Sequence, residues 1–269
     1  MDIKLAVFDI DGTLVTHGTH ILLDSTIESI HKLQEKGIKV AIASGRALYS
    51  FDQEVLDRVE FDYLISANGA YIYDQKNDKD VYRHRYSQEL VESFTKKIQE
   101  VQGSLMYQMV KNGYSYVDFE GLAQKMLEYL NMHESKILNY DDKQDKHSEE
   151  APHHIISRIP EAAFADFQEQ FPELKFTRFL PDMYDVNDHV INKANAVKYI
   201  AQDLGIELTE VIAFGDGLND LEMLSEVKIA VAMGNAEPEL KKVADYVTAN
   251  SEQGGIKQGL LHYGIIEEF

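Results

Sequence analysis

The chain contains no cysteine. That excludes disulfides, thiolate metal sites and a cysteine nucleophile. It also lacks any apolar run long enough to cross a bilayer. The opening "MDIKLAVFD" has neither a basic leader nor an extended apolar segment, so it does not read as a secretory signal. Positive charge is scarce: 26 Lys and Arg stand against 46 Asp and Glu, a formal net charge of −20. So acidic a surface repels phosphate backbones, which argues against nucleic acid as a partner. A phosphorylated ligand would need a local cationic patch or a metal. These absences lead to the expectation of a soluble cytoplasmic protein with no membrane partner; nothing in the chain sets its oligomeric state. What is present is 44% hydrophobic residues in 269, enough for one large domain or two smaller ones with proper cores.

The two ends of the chain alternate strand and helix. "IKLAVF" is nearly all apolar and reads as a buried parallel strand. "DSTIESIHKLQEKG" reads as a helix on the spacing of Ile27, Ile30 and Leu33. Asp24 or Ser25 can cap it, Glu28 is placed for a capping box with Ser25, and Gly37 can end it. "IKVAIAS" is a second strand, "SGRALYSFDQEVLD" carries a helical pattern, and "YLISANGAYIYD" gives more strand around an Asn68-Gly69 turn. After residue 188 the alternation resumes. "NKANAVKYIAQDLGI" is a helix, "EVIAFGDG" a strand ending in a turn and "NDLEMLSEV" a short helix. "KIAVAMG" follows as a strand, "EPELKKVA" as a helix and "DYVTA" as a last strand. This pattern predicts an α/β fold, a parallel sheet with helices on both faces. The middle differs. "QELVESFTKKIQEV" is helical, "SLMYQMVKNGYSYVDF" reads as a hairpin, and "HHIISRI", "LKFTRFL" and "MYDVN" read as strands, with "EAAFADFQEQF" a helix among them. We therefore expect a discontinuous core, 1–82 plus 188–269, with an inserted α+β unit of antiparallel strands over 83–187.

In open α/β sheets ligands sit beyond the carboxyl ends of the strands. Asp9, Ser44 and Asp216 each lie at such an end, and Lys193 opens a helix that can reach the same edge. Asp9 and Asp11 flank Ile10 in "FDIDGT", so an extended segment points both carboxylates the same way. At about 4 Å two like charges repel by roughly 4 kcal/mol at an effective dielectric of about 20. A divalent cation would offset that, and so would keeping one acid protonated. With oxygen ligands alone the expected ion is Mg²⁺. Asp216 can complete its ligand set, with Asp220 supporting from one turn on. Gly12 lets the chain turn so that backbone N–H groups face an anion.

"FDIDGTL", "IASGR", the Asn192-Lys193 pair and "GDGLND" resemble, in order, the four motifs of the haloacid dehalogenase superfamily. "SANGAYIYD", "VAMGNA" and "SEQGGI" further resemble its Cof-type phosphatases, whose α/β cap is inserted between the second and third motifs. That resemblance implies a phosphoric monoester hydrolase in which Asp9 is the nucleophile forming an aspartyl-phosphate and Asp11 the general acid and then base. Mg²⁺ would be held by Asp9, the Asp11 carbonyl and Asp216. Gly12, Ser44, Gly45, Lys193 and Asn219 would hold phosphate. The cap would admit small phosphorylated metabolites such as sugar phosphates. One departure is Ala194, where family members often have Gly. Phosphohexomutases share this core, and a non-catalytic phosphate-sensing module is the reading from another class; a base at Asp11 beside the acyl-phosphate argues against the latter.

Taken singly, each of these residues has a plainer use, as a turn former, a helix cap or a solvated lysine. The case rests on their convergence. His147, His153 and His154 lack helical metal-ligand spacing and are expected not to ligate. Tyr107, Met109, Tyr114 and Tyr116 alternate along the hairpin and are expected chiefly to pack the cap. Arg83, Arg85, Arg158 and Arg178 are further candidates to reach a ligand.

Overall fold

The computed structural model describes residues 2–16, 18–130 and 136–269. In chain order its elements begin with β1 (Leu5–Phe8), α1 (Asp24–Glu35), β2 (Lys39–Ala43), α2 (Gln53–Arg58), β3 (Tyr63–Ser66), β4 (Tyr71–Asp74) and β5 (Lys79–Arg83). Next come α3 (Gln88–Glu100), β6 (Ser104–Gln108), β7 (Gly113–Val117), α4 (Phe119–Leu130), β8 (Ile137–Asn139), β9 (His154–Arg158), α5 (Phe164–Gln170), β10 (Leu174–Leu180) and β11 (Met183–Asp188). The chain closes with α6 (Lys193–Leu204), β12 (Val211–Gly215), α7 (Leu221–Glu226), β13 (Ile229–Ala232), α8 (Pro238–Val243), β14 (Tyr246–Val247) and α9 (Gly255–His262). No helix among the described residues is long and apolar enough to cross a membrane.

One compact unit comprises Met1–Arg46, Phe51–Tyr82 and Ile191–Phe269. Its sheet runs β14-β13-β12-β1-β2-β3-β4-β5. Pairing is parallel from β14 to β3 and antiparallel between β3 and β4. The central strands β1, β12 and β13 are buried along their whole length, as strands covered on both faces must be. Phe8 pairs with Phe214 across β1 and β12, their rings stacked 5.1 Å apart, and Asp9 N donates to Phe214 O at 3.1 Å. That register brings Asp9 and the Gly215-Asp216 turn out of the sheet side by side.

Two local expectations change. The α1 capping box does not form. Leu23 occupies the N-cap position without a side-chain bond, and Ser25 lies inside the first turn, where its carbonyl accepts from Ser29 Oγ at 2.6 Å. Gly37 does end the helix, at φ +76°, the left-handed geometry glycine adopts freely. The helical pattern after Arg46 yields only a 3₁₀ turn at Leu48–Ser50 and then α2. Asp52 is extended and caps α2 by accepting from Glu54 N at 2.9 Å, which fixes the helix start behind it.

The other unit comprises Ala47–Ser50 and Arg83–Val190. Its sheet runs β10-β11-β9-β6-β7-β8, antiparallel except for β7 with β8. One face buries Tyr107, Tyr116 and Ile155 with Phe94 and Phe167 of α3 and α5. The other buries Met106, Ile156 and Met183 with Leu122 and Met126 of α4. Helix α4 was not anticipated. Gly121 sits in its first turn and weakens the local helical signal.

Candidate active site

The site is built where β1 and β12 end. Lys193 is the first residue of α6, whose N-cap Asn192 accepts from Asn195 N at 2.8 Å. Its side chain is wholly buried, and Nζ donates to Asp9 Oδ1 at 2.5 Å and to Asp220 Oδ1 at 2.6 Å. Asp220 ends a 3₁₀ turn, Leu218–Asp220, and its Oδ2 accepts from the N–H groups of Asp216 and Gly217 at 3.0 Å each. An ammonium and two backbone donors hold Asp220, and through them it pins the turn that carries Asp216.

Burial is the strongest influence on Asp9 and pushes its carboxyl well above the usual carboxylate range. Lys193 opposes that, while Asp220 and Asp216 reinforce it. Burial also works against the Lys193 ammonium, but Asp220 and Asp9 together outweigh it, so its pKa is raised and it stays charged. One cation serves two carboxylates, and Asp216 stands close by, so the pocket carries unbalanced negative charge.

The expected repulsion between Asp9 and Asp11 is relieved first by separation. The two acids face different cations. Asp11 Oδ1 and Oδ2 accept from Arg46 Nη2 at 2.5 Å and Nε at 2.8 Å, and His20 Nδ1 lies 3.5 Å from Oδ1. The chain leaves extended geometry directly after Asp9, so Asp9 turns inward to Lys193 and Asp11 turns to the partly exposed rim.

Gly12 has φ +85°, and a Cβ there would lie 2.3 Å from Asp216 Oδ2. Only glycine permits this turn against that carboxylate. Asp216 is held from two sides: Thr13 Oγ1 donates to Oδ1 at 3.0 Å and Asn235 Nδ2 to Oδ2 at 3.3 Å. Asn235 also donates to Gly12 O at 2.8 Å and accepts from Ser251 N at 2.9 Å. Ser44 is buried, and its Oγ accepts from Arg46 N at 3.1 Å. Gly45 packs under Asn68, and exposed Asn219 gives its Nδ2–H to Asn68 Oδ1 at 3.0 Å. Arg46, Thr13 and Asn235 received no role from the sequence, and Asn68 only that of a turn residue. The one signal for them was their position inside "SGR", "DGT", "ANG" and "GNA".

Asp9, Asp216 and Asp220 each offer an oxygen within 4.8 Å of the others. Hard oxygen donors, a net negative pocket and an Asp216 oriented by Thr13 and Asn235 fit a divalent cation such as Mg²⁺. The Asp11 carboxylate stands outside that group, paired with Arg46.

Of the remaining candidates, Arg85 is exposed and the others are buried or paired outside this group. His153 and His154 are buried, His154 Nδ1 lying 3.0 Å from Gln108 Oε1, while His147 Nδ1 lies 3.0 Å from Tyr116 Oη. Tyr107, Met109, Tyr114 and Tyr116 all join the apolar cluster under α3 and α5. Arg83 pairs with Glu150, Arg158 donates to Ser104 Oγ and Gln102 O, and Arg178 faces Glu161 and Asp182.

Residues 6–260 match the family model of the haloacid dehalogenase-like hydrolases. Over 99% of this chain and 100% of its own length, a Bacillus subtilis protein named "Putative phosphatase YkrA" is 30% identical. The 5-amino-6-(5-phospho-D-ribitylamino)uracil phosphatase YcsE of the same organism is 28% identical over 98% of this chain and 96% of its own. Among solved structures, the subclass IIB sugar phosphatase BT4131 superposes with a TM-score of 0.83 at 30% identity. That match covers 98% of this chain and 100% of the other.

Proposed function

Since the chain belongs to the haloacid dehalogenase-like hydrolases, we propose that it is a Mg²⁺-dependent phosphatase. Its substrates are small phosphate monoesters of the sugar-phosphate kind, and it works through a phosphorylated Asp9. The observation that carries this reading is the grouping of Asp9, Asp216 and Asp220, with the buried Lys193 ammonium bound to Asp9 and Asp220. Two similar proteins are named for phosphorylated metabolites, one a ribitylaminouracil phosphate and the other a sugar phosphate.

Asp9, Asp216 and the Asp11 carbonyl would hold the cation, which when bound neutralises charge on the phosphoryl oxygens. Lys193 stands beside Asp9 and supplies the fixed positive charge that phosphoryl transfer needs in so acidic a chain. Ser44 Oγ and the backbone N–H groups of the Gly12 turn and of Gly45 would orient the remaining oxygens. The Asp9 carboxylate attacks phosphorus, the P–O ester bond breaks, and Asp11 delivers a proton to the departing alkoxide. Asp11, now ionised, takes a proton from water as that water attacks the aspartyl-phosphate. Inorganic phosphate leaves, and both acids return to their starting forms.

The test is phosphate release from a panel of sugar phosphates, nucleotides and p-nitrophenyl phosphate. The expected result is turnover with Mg²⁺, reversible loss with EDTA, and abolition in Asp9→Asn. Interconversion of hexose 1- and 6-phosphates without phosphate release, or full activity in Asp9→Asn, would overturn the reading.

A further inference from the structure

The strongest unexplained contact in the site is the two-point grip of Arg46 on Asp11. Both carboxylate oxygens are engaged, at 2.5 and 2.8 Å, in the parallel fork that only a guanidinium can make. The backbone of Arg46 is fixed on both sides. Its N–H donates to Ser44 Oγ at 3.1 Å, and its carbonyl accepts from Ala67 N at 2.8 Å. Asn68 N donates to Ser44 O at 2.9 Å. The segment that makes these bonds carries strain: Ala67 and Asn68 are both left-handed, at φ +49° and +55°, and Ala67 has no side-chain reason to be. Strained backbone persists where surrounding structure enforces it, and here it clamps the Ser44–Arg46 loop in a single pose.

A short strand-end loop held so firmly is suited to orienting a group that must reach the same point twice, first as acid and then as base. The backbone of Asp11 is held by its bridge to Val15, but its side chain is partly exposed and its carboxylate is left to be aimed by side-chain partners. We infer that Arg46 is a positioning residue: its guanidinium, braced by the Ala67-Asn68 turn, fixes the Asp11 carboxylate in the orientation for proton transfer to the leaving group. A carboxylate has about four lone-pair sites. The fork takes two, which leaves room for the proton that Asp11 must carry and for contact with substrate or water. His20, left-handed at φ +53°, brings its Nδ1 to 3.5 Å from the same Oδ1 that Arg46 Nη2 binds.

This inference rests on the phosphatase reading, and its test separates the two. The kcat/KM reports steps only through the first phosphoryl transfer, in which Asp11 acts as acid alone. Alkyl phosphates need that proton, whereas p-nitrophenyl phosphate, with a stable phenolate leaving group, hardly does. Arg46→Ala should lower kcat/KM for an alkyl phosphate about 100-fold, on the scale of general acid catalysis, and for p-nitrophenyl phosphate less than about tenfold. Added guanidinium ion should restore part of the alkyl rate, while methylammonium should not. Arg46→Lys, a single-point donor, should recover less than the parent rate while keeping the same leaving-group bias. Equal losses on both esters, or no response to guanidinium, would contradict a positioning role and leave a purely structural arginine. A parent protein inactive on every ester would sink the phosphatase reading instead.

Discussion

Lys193 Nζ donates to Asp9 Oδ1 at 2.5 Å with the lysine wholly buried, and the same ammonium reaches Asp220 at 2.6 Å. Breaking such a pair from one side strands two buried carboxylates. Lys193→Met should therefore cost about 3 kcal/mol or more in the metal-free protein, read as a shift of the urea midpoint. Added Mg²⁺ should return part of that loss, because it neutralises the stranded acids. Activity should fall by at least about 100-fold, as when a preorganised donor is removed. Unchanged stability would mean that Lys193 is not the charge balancing Asp9.

Gly12 meets Asp216 so closely that no side chain fits. Gly12→Ala combines a left-handed backbone with a 2.3 Å clash against a carboxylate oxygen. The expected outcome is a loss of more than about 1 kcal/mol of stability together with weakened Mg²⁺ binding, because Asp216 must move. Thermal unfolding with and without Mg²⁺ measures both.

Asn235 ties Gly12 O, Asp216 Oδ2 and Ser251 N into one brace. Outer partners of a metal ligand typically contribute about 10- to 100-fold in affinity. Asn235→Ala should weaken Mg²⁺ binding by about that factor in calorimetric titration, with the fold retained. An unchanged affinity would show that Thr13 alone suffices to orient Asp216.

Asp9, Ser44, Lys193, Asp216 and Asp220 were readable because each stands at a strand end or a helix start, where local pattern fixes position. The α/β alternation that places those ends was readable for the same reason. Asn235 and Arg46 were not assigned, since each acts on a carboxylate remote in sequence, 19 and 35 residues away. Nothing in "GNA" or "SGR" states what the side chain will meet. The Asp9–Asp11 pair was misjudged in one respect: period-two geometry stops at Phe8, the last residue of β1, so the two carboxylates diverge to separate cations. Ser25 failed as a cap because the helix begins one residue ahead of it, a boundary that propensity fixes poorly.

His153 is buried in the second unit. Burial above all, and then the nearby His154, Arg83 and His84, hold its pKa well below the usual histidine range. The unfolded chain therefore binds a proton that the folded one refuses. Stability is complete above about pH 6.5 and falls below it by up to about 1.4 kcal/mol per pH unit. His84, lowered by burial with Asp188 opposing, adds in the same direction. Urea midpoints between about pH 7.5 and 5.5 should show the decline, and His153→Phe should flatten it in part; a profile identical to the parent's would assign the decline to other groups.

The central claim is that Asp9, and no other group, takes the phosphoryl. The direct measurement is a crystal structure of the Mg²⁺-loaded protein with beryllofluoride, a mimic of an acyl-phosphate. The account predicts the adduct on an Asp9 carboxylate oxygen with Lys193 alongside. An adduct on Asp11, on Ser44 or on any other side chain would contradict it.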